Sequence, residues 1–155
     1  MSSLDRASLQ LLQALQDDAR QTVQELARQV GLSSTPCWKR IKDMEAGGVI
    51  RGYTVVVDRE KVGLGLQVMV EVNLDRRSAS LVQEFEDQVR ACPSIVHCLS
   101  TTGQADFVLT VLTQDIKSYE RLLQSVLVRL PGVTHLRSSI VLREVKPLSH
   151  LPLQF

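Results

Sequence analysis

Residues 31–53 read GLSSTPCWKRIKDMEAGGVIRGY. After Gly31-Leu32, a Ser-Ser-Thr-Pro start leads into a segment in which Cys37, Ile41 and Met44 recur at helical spacing, and Gly47-Gly48 ends it. At 3.6 residues per turn those three side chains share one face. Thr35, Lys39 and Lys42 fall opposite, with Trp38 and Asp43 on the flanks of that exposed side. Arg40 sits beside the apolar stripe, where its stem can pack while its guanidinium reaches outward. Pro36 is tolerated there because first-turn N–H groups have no intrahelical partner. A helix that only packs against neighbours has no need of an exposed tryptophan among basic residues.

The residues before this stretch are helical too. Leu4, Leu11, Leu12 and Leu15 recur at helical spacing, with Asp5 placed to cap. Thr22 and Glu25 form a capping box ahead of Val23, Leu26, Ala27 and Val30, and Gly31 stops that short helix. Behind the third helix, residues 49–58 alternate as a hairpin would, with Gly52 as its turn or bulge. A capped helix, a glycine-bearing turn, a second helix with a basic face and a hairpin wing make a winged helix-turn-helix. Lysine and arginine there neutralise phosphates and release counterions. Ser33, Ser34 and Thr35 can donate to phosphate or base edges at a helix start that favours anions. Trp38 can make apolar contact in a groove, or equally pack against the wing or the preceding helix. Exposed basic residues also suit plain solvation.

The totals announce no partner. Formal net charge over 155 residues is +1. Residues 1–60 hold 8 basic and 8 acidic side chains, the remainder 10 and 9, so any nucleic-acid signal lies in local placement. Cys37, Cys92 and Cys98 are odd in number and form no CxxC, which suits a reducing cytoplasm rather than a disulfide framework. His97, His135 and His150 lack ligand spacing, so no metal site is expected. No signal peptide and no membrane span is expected. No nucleophile–base pair, paired carboxylates or phosphate loop stands out, so neither an enzyme nor a cofactor is expected.

After residues 59–65, REKVGLG, which read as a linker, the pattern changes. Val68, Val70, Val72 and Leu74 alternate against Met69, Glu71 and Asn73. Residues 78–91 form an amphipathic helix with Leu81, Phe85 and Val89 four apart, ended by Pro93. A strand from Ile95 to Thr101, a tight turn at Gly103-Gln104 and a strand through Phe107, Leu109 and Val111 follow. Asp115 can cap a helix running to Leu130, and Val133 to Val145 is a last long strand. The order β-α-β-β-α-β is the ferredoxin-like plan, and helices first with a split βαβ afterwards make an α+β chain of two domains. The expected boundaries are 1–58 for the winged helix-turn-helix, 59–65 for the linker and 66–155 for the sheet domain.

Several stretches together resemble the Lrp/AsnC, or feast/famine, transcriptional regulators: LDRASLQLLQALQDDAR (4–20), ELARQVGLSSTPCWKRIKDMEAGGVIRGY (25–53), KVGLG (61–65), TGQADFVLTV (102–111) and LPGV (130–133). The resemblance covers nearly the whole chain. It implies a DNA-binding head, an effector-binding ferredoxin-like domain, and homodimers that assemble further, octamers among them, on double-stranded DNA. The family's recognition contacts fall on Ser34, Thr35, Pro36, Trp38, Lys39 and Arg40, and Ser33, Lys42 and Arg51 complete the expected DNA-facing set. TPCWKR and the later LPL (151–153) are similar to a subgroup of cysteine-responsive regulators.

The family's G-x-x-D effector loop falls on Gly103 and Asp106, with Thr102 before and Ala105 between. A free amino acid presents an ammonium, which Asp106 can pair, and a carboxylate, which backbone N–H groups near Gly103 can take. Thr101 and Thr102 add hydroxyls, and Thr134, Ser138 and Ser139 are candidates for the partner subunit's side of the pocket. Taken alone, the same residues make an ordinary hairpin turn; the resemblance gives the effector reading precedence. The expected function is a sequence-specific DNA-binding regulator answering an amino acid. Its rival is a DNA-free amino-acid-sensing module that acts through protein partners. A two-fold dimer places recognition helices about 34–36 Å apart, or a multiple of that.

Overall fold

Asp5 begins the first helix as its position promises. Its carboxylate accepts from Ser8 N at 2.9 Å and opens α1 (Arg6–Asp17). Thr22 and Glu25 cap each other reciprocally at the start of α2 (Val23–Val30), and Gly31 ends it at φ 70°, a conformation glycine adopts without steric cost. α3 (Ser34–Ala46) runs to Gly47-Gly48. The amphipathic faces meet in one core of Leu11, Ala14, Leu26, Ala27, Cys37, Ile41 and Met44. The structure, a computed structural model, describes residues 4–75, 79–147 and 150–153.

The second core lies under a sheet. β1 (Leu66–Leu74) buries Val68, Val70, Val72 and Leu74, as its alternation requires. α4 (Ala79–Ala91) brings Phe85 and Val89 onto it, the Phe85 ring lying 4.8 Å from that of Phe107. Residue 78, expected in this helix, lies outside the described residues. β2 (Ile95–Ser100) and β3 (Phe107–Thr113) follow, then α5 (Ile116–Ser125), capped by Asp115 accepting from Ser118 N, and β4 (Val133–Ile140). The strand order β2-β3-β1-β4, antiparallel throughout, is the ferredoxin-like arrangement.

Four expectations need correcting. Residues 49–58 form no hairpin: Val49 N and Ile50 N both donate to Met44 O, Gly52 does not take a positive φ, and residues 51–58 pair with no strand. A two-stranded hairpin with no face to pack on is marginal by itself. α5 stops at Ser125 rather than Leu130, because a 3-10 turn at Leu127–Arg129 tucks Leu127 into the core. β4 ends at Ile140 rather than Val145; Val141 N still donates to Gln67 O, but β1 begins at Leu66 and offers nothing beyond.

The 59–65 segment, the expected linker, folds into a compact turn, with Leu64 N donating to Arg59 O and Arg59 reaching the carbonyls of Leu64 and Gly65. The Gly103-Gln104 turn is a wider loop closed by Thr101 N on Asp106 O. The chain divides into two units, Met1–Val56 with Lys146–Phe155, and Val57–Val145. The segment from Lys146 thus groups with the helices rather than with the sheet.

The capping carboxylates make the fold sensitive to acid. Bonds from Ser8, Thr22 and Ser118 hold the carboxyls of Asp5, Glu25 and Asp115 below their ordinary values. A lowered carboxyl stabilises the native state above its ordinary range and loses that contribution as pH falls through the lowered value. The melting temperature is therefore expected to drop between about pH 5 and about pH 2, followed by circular dichroism.

Candidate nucleic-acid interface and effector site

On α3 the sequence divides its faces cleanly. Cys37, Ile41 and Met44 are buried, and burial pushes the Cys37 thiol up. Ser33, Ser34, Thr35, Pro36, Trp38, Lys39 and Lys42 are exposed, and so is Arg51. Trp38 stands 53% exposed, so about half of it is open to a partner. Ser33 sits at the N-cap without a side-chain cap bond, which leaves the first amides of α3 aimed outward. Donors, cations and one aromatic therefore share a surface.

Two of the expected DNA-facing cations are already engaged. Arg40 Nη1 lies 2.6 Å from Asp5 Oδ2 and donates to the buried Ser8 hydroxyl at 3.3 Å. It ties α3 to the start of α1. Lys42 pairs with Glu45 at 2.7 Å, and Tyr53 also donates to Glu45, at 3.0 Å. The Lys42 bond first, then that from Tyr53, lowers the Glu45 carboxyl, while burial and then Glu45 raise the Tyr53 phenol. Lys39 forms no ion pair among the described residues.

In the sheet unit, the expected effector-loop residues gather at one end. Thr101 Oγ1 donates to Ala105 O, Asn73 Nδ2 donates to Gln104 O at 2.8 Å, and Thr134 Oγ1 donates to Asn73 O at 3.0 Å. Ala105 is buried, while Thr102 and Gly103 are exposed. Where the β1–β4 register shifts between Asn73 and Leu74, Leu74 N donates to Asp106 Oδ2 at 2.9 Å. Asp106 therefore holds the loop to the sheet.

Ser138 and Ser139 do not join this cluster. They pair with Val70 and Met69, about 13 Å or more along the strand from Leu74. Ser138 bonds Tyr119 of α5 and Ser139 is exposed. Asn73 joins the site although nothing in the sequence reading singles it out; its one signal there is a polar residue near the end of an alternating strand. A groove of about 410 Å³ lies between α4 and β2, lined by Glu86, Val89, Arg90, Cys98 and Phe107 among others, and includes none of the expected effector residues.

Asp106→Ala is expected to leave the Leu74 amide unsatisfied, at a cost of about 1–3 kcal/mol. Asp106→Asn keeps an acceptor and should recover most of the melting temperature. Equal melting of the two variants would show that the bond contributes nothing.

Residues 67–151 match the family model described as the Lrp/AsnC ligand binding domain. Residues 4–51 match that for a winged helix-turn-helix DNA-binding domain. The Bkd operon transcriptional regulator of Pseudomonas aeruginosa is 35% identical over 153 residues, covering 99% of this chain and 100% of its own. The leucine-responsive regulatory protein of Escherichia coli is 36% identical over 148 residues, 96% of this chain and 90% of its own. A Neisseria meningitidis transcriptional regulator solved as a complex with L-Met superimposes with a TM-score of 0.92 at 33% identity, covering 97% of each chain. An AsnC family transcriptional regulator from Agrobacterium tumefaciens does so at 0.91 and 31%, covering 96% of this chain and 97% of that one.

Proposed function

The chain belongs to the Lrp/AsnC family of DNA-binding transcriptional regulators, and on that footing we propose how its residues divide the work. The exposed face of α3 enters the major groove, with Ser34, Thr35, Pro36 and Trp38 toward the bases and Ser33, Lys39 and Arg51 toward the backbone. The observation that carries this reading is the division of α3, which buries its apolar stripe and leaves Trp38 and Lys39 in solvent. Arg40 acts by holding α3 on α1 rather than by touching DNA.

The Thr101–Asp106 loop, with Asn73 and Thr134, receives a free amino acid; the relative solved with L-Met supports that ligand class. Thr102 and Gly103, open to solvent, contact it directly, and Asp106 shapes the loop. The cluster lies on the surface, so a second copy of the chain completes the pocket. Ser138 and Ser139 serve that partner's side.

A homodimer that assembles further, up to an octamer, fits the surface as well. Val55, Val56 and Val57 are 78, 99 and 57% exposed in a stretch outside any helix or strand, and Leu142 and Val145 are 94 and 84% exposed beyond β4. Exposed apolar chain with unpaired backbone can pair with another chain. No helix among the described residues is long and apolar enough to cross a membrane.

A gel shift with a duplex from the gene's own upstream region tests the DNA reading. Binding should appear at low ionic strength, with log K falling linearly against log salt. Absence of a shift would favour the rival in which the helical head docks on protein. A thermal-shift screen of the twenty amino acids, cysteine included, tests the effector, since a ligand preferring the native state raises the melting temperature.

A further inference from the structure

The segment that follows β4 ends on the helical unit, and its contacts are specific. Leu151 N donates to Gln16 Oε1 at 2.7 Å, and Gln16 Nε2 returns a long bond to Leu151 O at 3.5 Å. One glutamine side chain thus meets both backbone groups of one residue, as a neighbouring strand would. His150 Nε2 lies 2.7 Å from Gln16 O and 3.4 Å from Asp17 Oδ1. These partners are 134 and 135 residues apart in sequence, so local propensity does not explain them.

The place they occupy gives the contact its meaning. Gln16 O is among the last four carbonyls of α1, which lack intrahelical partners. α1 carries no basic residue in its last turn. A histidine N–H directed at that carbonyl caps the helix and complements the negative end of its dipole. α1 is also the helix against which α3 rests: Leu11 and Ala14 share a core with Cys37 and Ile41, and Asp5 holds Arg40. The capping segment is in turn the covalent continuation of β4, whose first residues, Val133 and Thr134, adjoin the effector loop through Leu74 and Asn73.

We propose that His150 and Leu151 form a cap in trans along the sequence, through which the sheet unit biases the DNA-binding helices. Occupancy of the effector loop changes the path of β4, the continuation of β4 pulls or releases the cap, and α1 passes the change to α3. Allosteric coupling needs an element whose equilibrium both sites bias. The cap is that element, and its surface on α1, Gln16 and Asp17, has this chain's own His150-Leu151 as occupant. The inference rests on the reading of the chain as an effector-responsive regulator.

The test uses the full chain, its upstream duplex, and whichever of the twenty amino acids most raises the melting temperature. In wild type that amino acid should change the duplex Kd by about 5-fold or more, the usual lower range of allosteric coupling. Gln16→Ala and His150→Ala should keep the amino-acid-induced rise in melting temperature. They should bind the duplex within about 3-fold of wild type without the amino acid, and respond to it by less than about 2-fold. Deletion of residues 147–155 should do the same; should that protein not fold, the two point variants carry the result.

A merely structural cap would weaken duplex binding equally with and without the amino acid, leaving the ratio at its wild-type value. That outcome overturns the coupling and spares the effector reading. A wild-type protein whose duplex affinity no amino acid alters overturns both.

Discussion

Replacing Val56 with aspartate is expected to leave the chain folded and to break the assembly proposed for it. Val56 is 99% exposed and its neighbours Val55 and Val57 are 78 and 57% exposed, so the isolated chain loses no packing on substitution. In an assembly that pairs these segments, the carboxylate would be taken from water into an apolar seam, and a buried unpaired charge costs several kcal/mol. A dimer constant weakened by about 100-fold or more follows from about 3 kcal/mol. Sedimentation equilibrium should report a smaller mass for Val56→Asp than for wild type, with an unchanged melting temperature at low concentration. Val56→Thr, which keeps a β-branched strand former without charge, should retain most of the assembly. Operator affinity should fall with the mass, because two heads on one site bind with the effective concentration of a linked pair. A Val56→Asp variant that keeps the wild-type mass would mean that these valines are not the seam.

Adjacent cations on α3 should fail in different ways. Lys39 is exposed and forms no ion pair among the described residues, so Lys39→Ala should leave the melting temperature alone. It should weaken duplex binding about tenfold and reduce the magnitude of the salt slope by about 0.9, the signature of one lost phosphate contact. Arg40 is engaged with Asp5 at 2.6 Å and with the Ser8 hydroxyl. Arg40→Ala should lower the melting temperature, because Ser8, 6% exposed, loses that hydrogen bond and α3 loses its tie to α1. Its binding defect should come with a wild-type salt slope. An Arg40→Ala protein that melts normally yet binds with a flattened slope would return Arg40 to the DNA. The distinction rests on geometry: at one residue's remove around a helix, one side chain meets solvent and the next meets a neighbouring helix.

Much of the architecture is readable because its signals are local. Thr22 and Glu25 satisfy each other across a single turn, Gly31 takes a conformation that only its own backbone governs, and Asp5 and Asp115 cap helices three residues away. Alternation at Val68, Val70 and Val72 needs only a dry face to be confirmed, and the sheet supplies it. From such elements the order of helices and strands, and hence the ferredoxin-like plan, follows with few alternatives. The exposed face of α3 is equally legible, since helical periodicity decides it.

Local order along the chain therefore dictates the set of elements, their caps and which faces are apolar; these depend on residues within a turn or a strand's width of one another. Packing in three dimensions dictates where pairing ends and what each polar side chain is for. Residues 49–58 have the composition of a hairpin and no ladder partner. β4 stops where β1 runs out. Arg40 is claimed by Asp5, Asp106 by the Leu74 amide and Gln16 by Leu151, each from far along the chain. A hydrogen bond falls away within about an ångström of its best length, so such assignments follow from distances that no local pattern encodes.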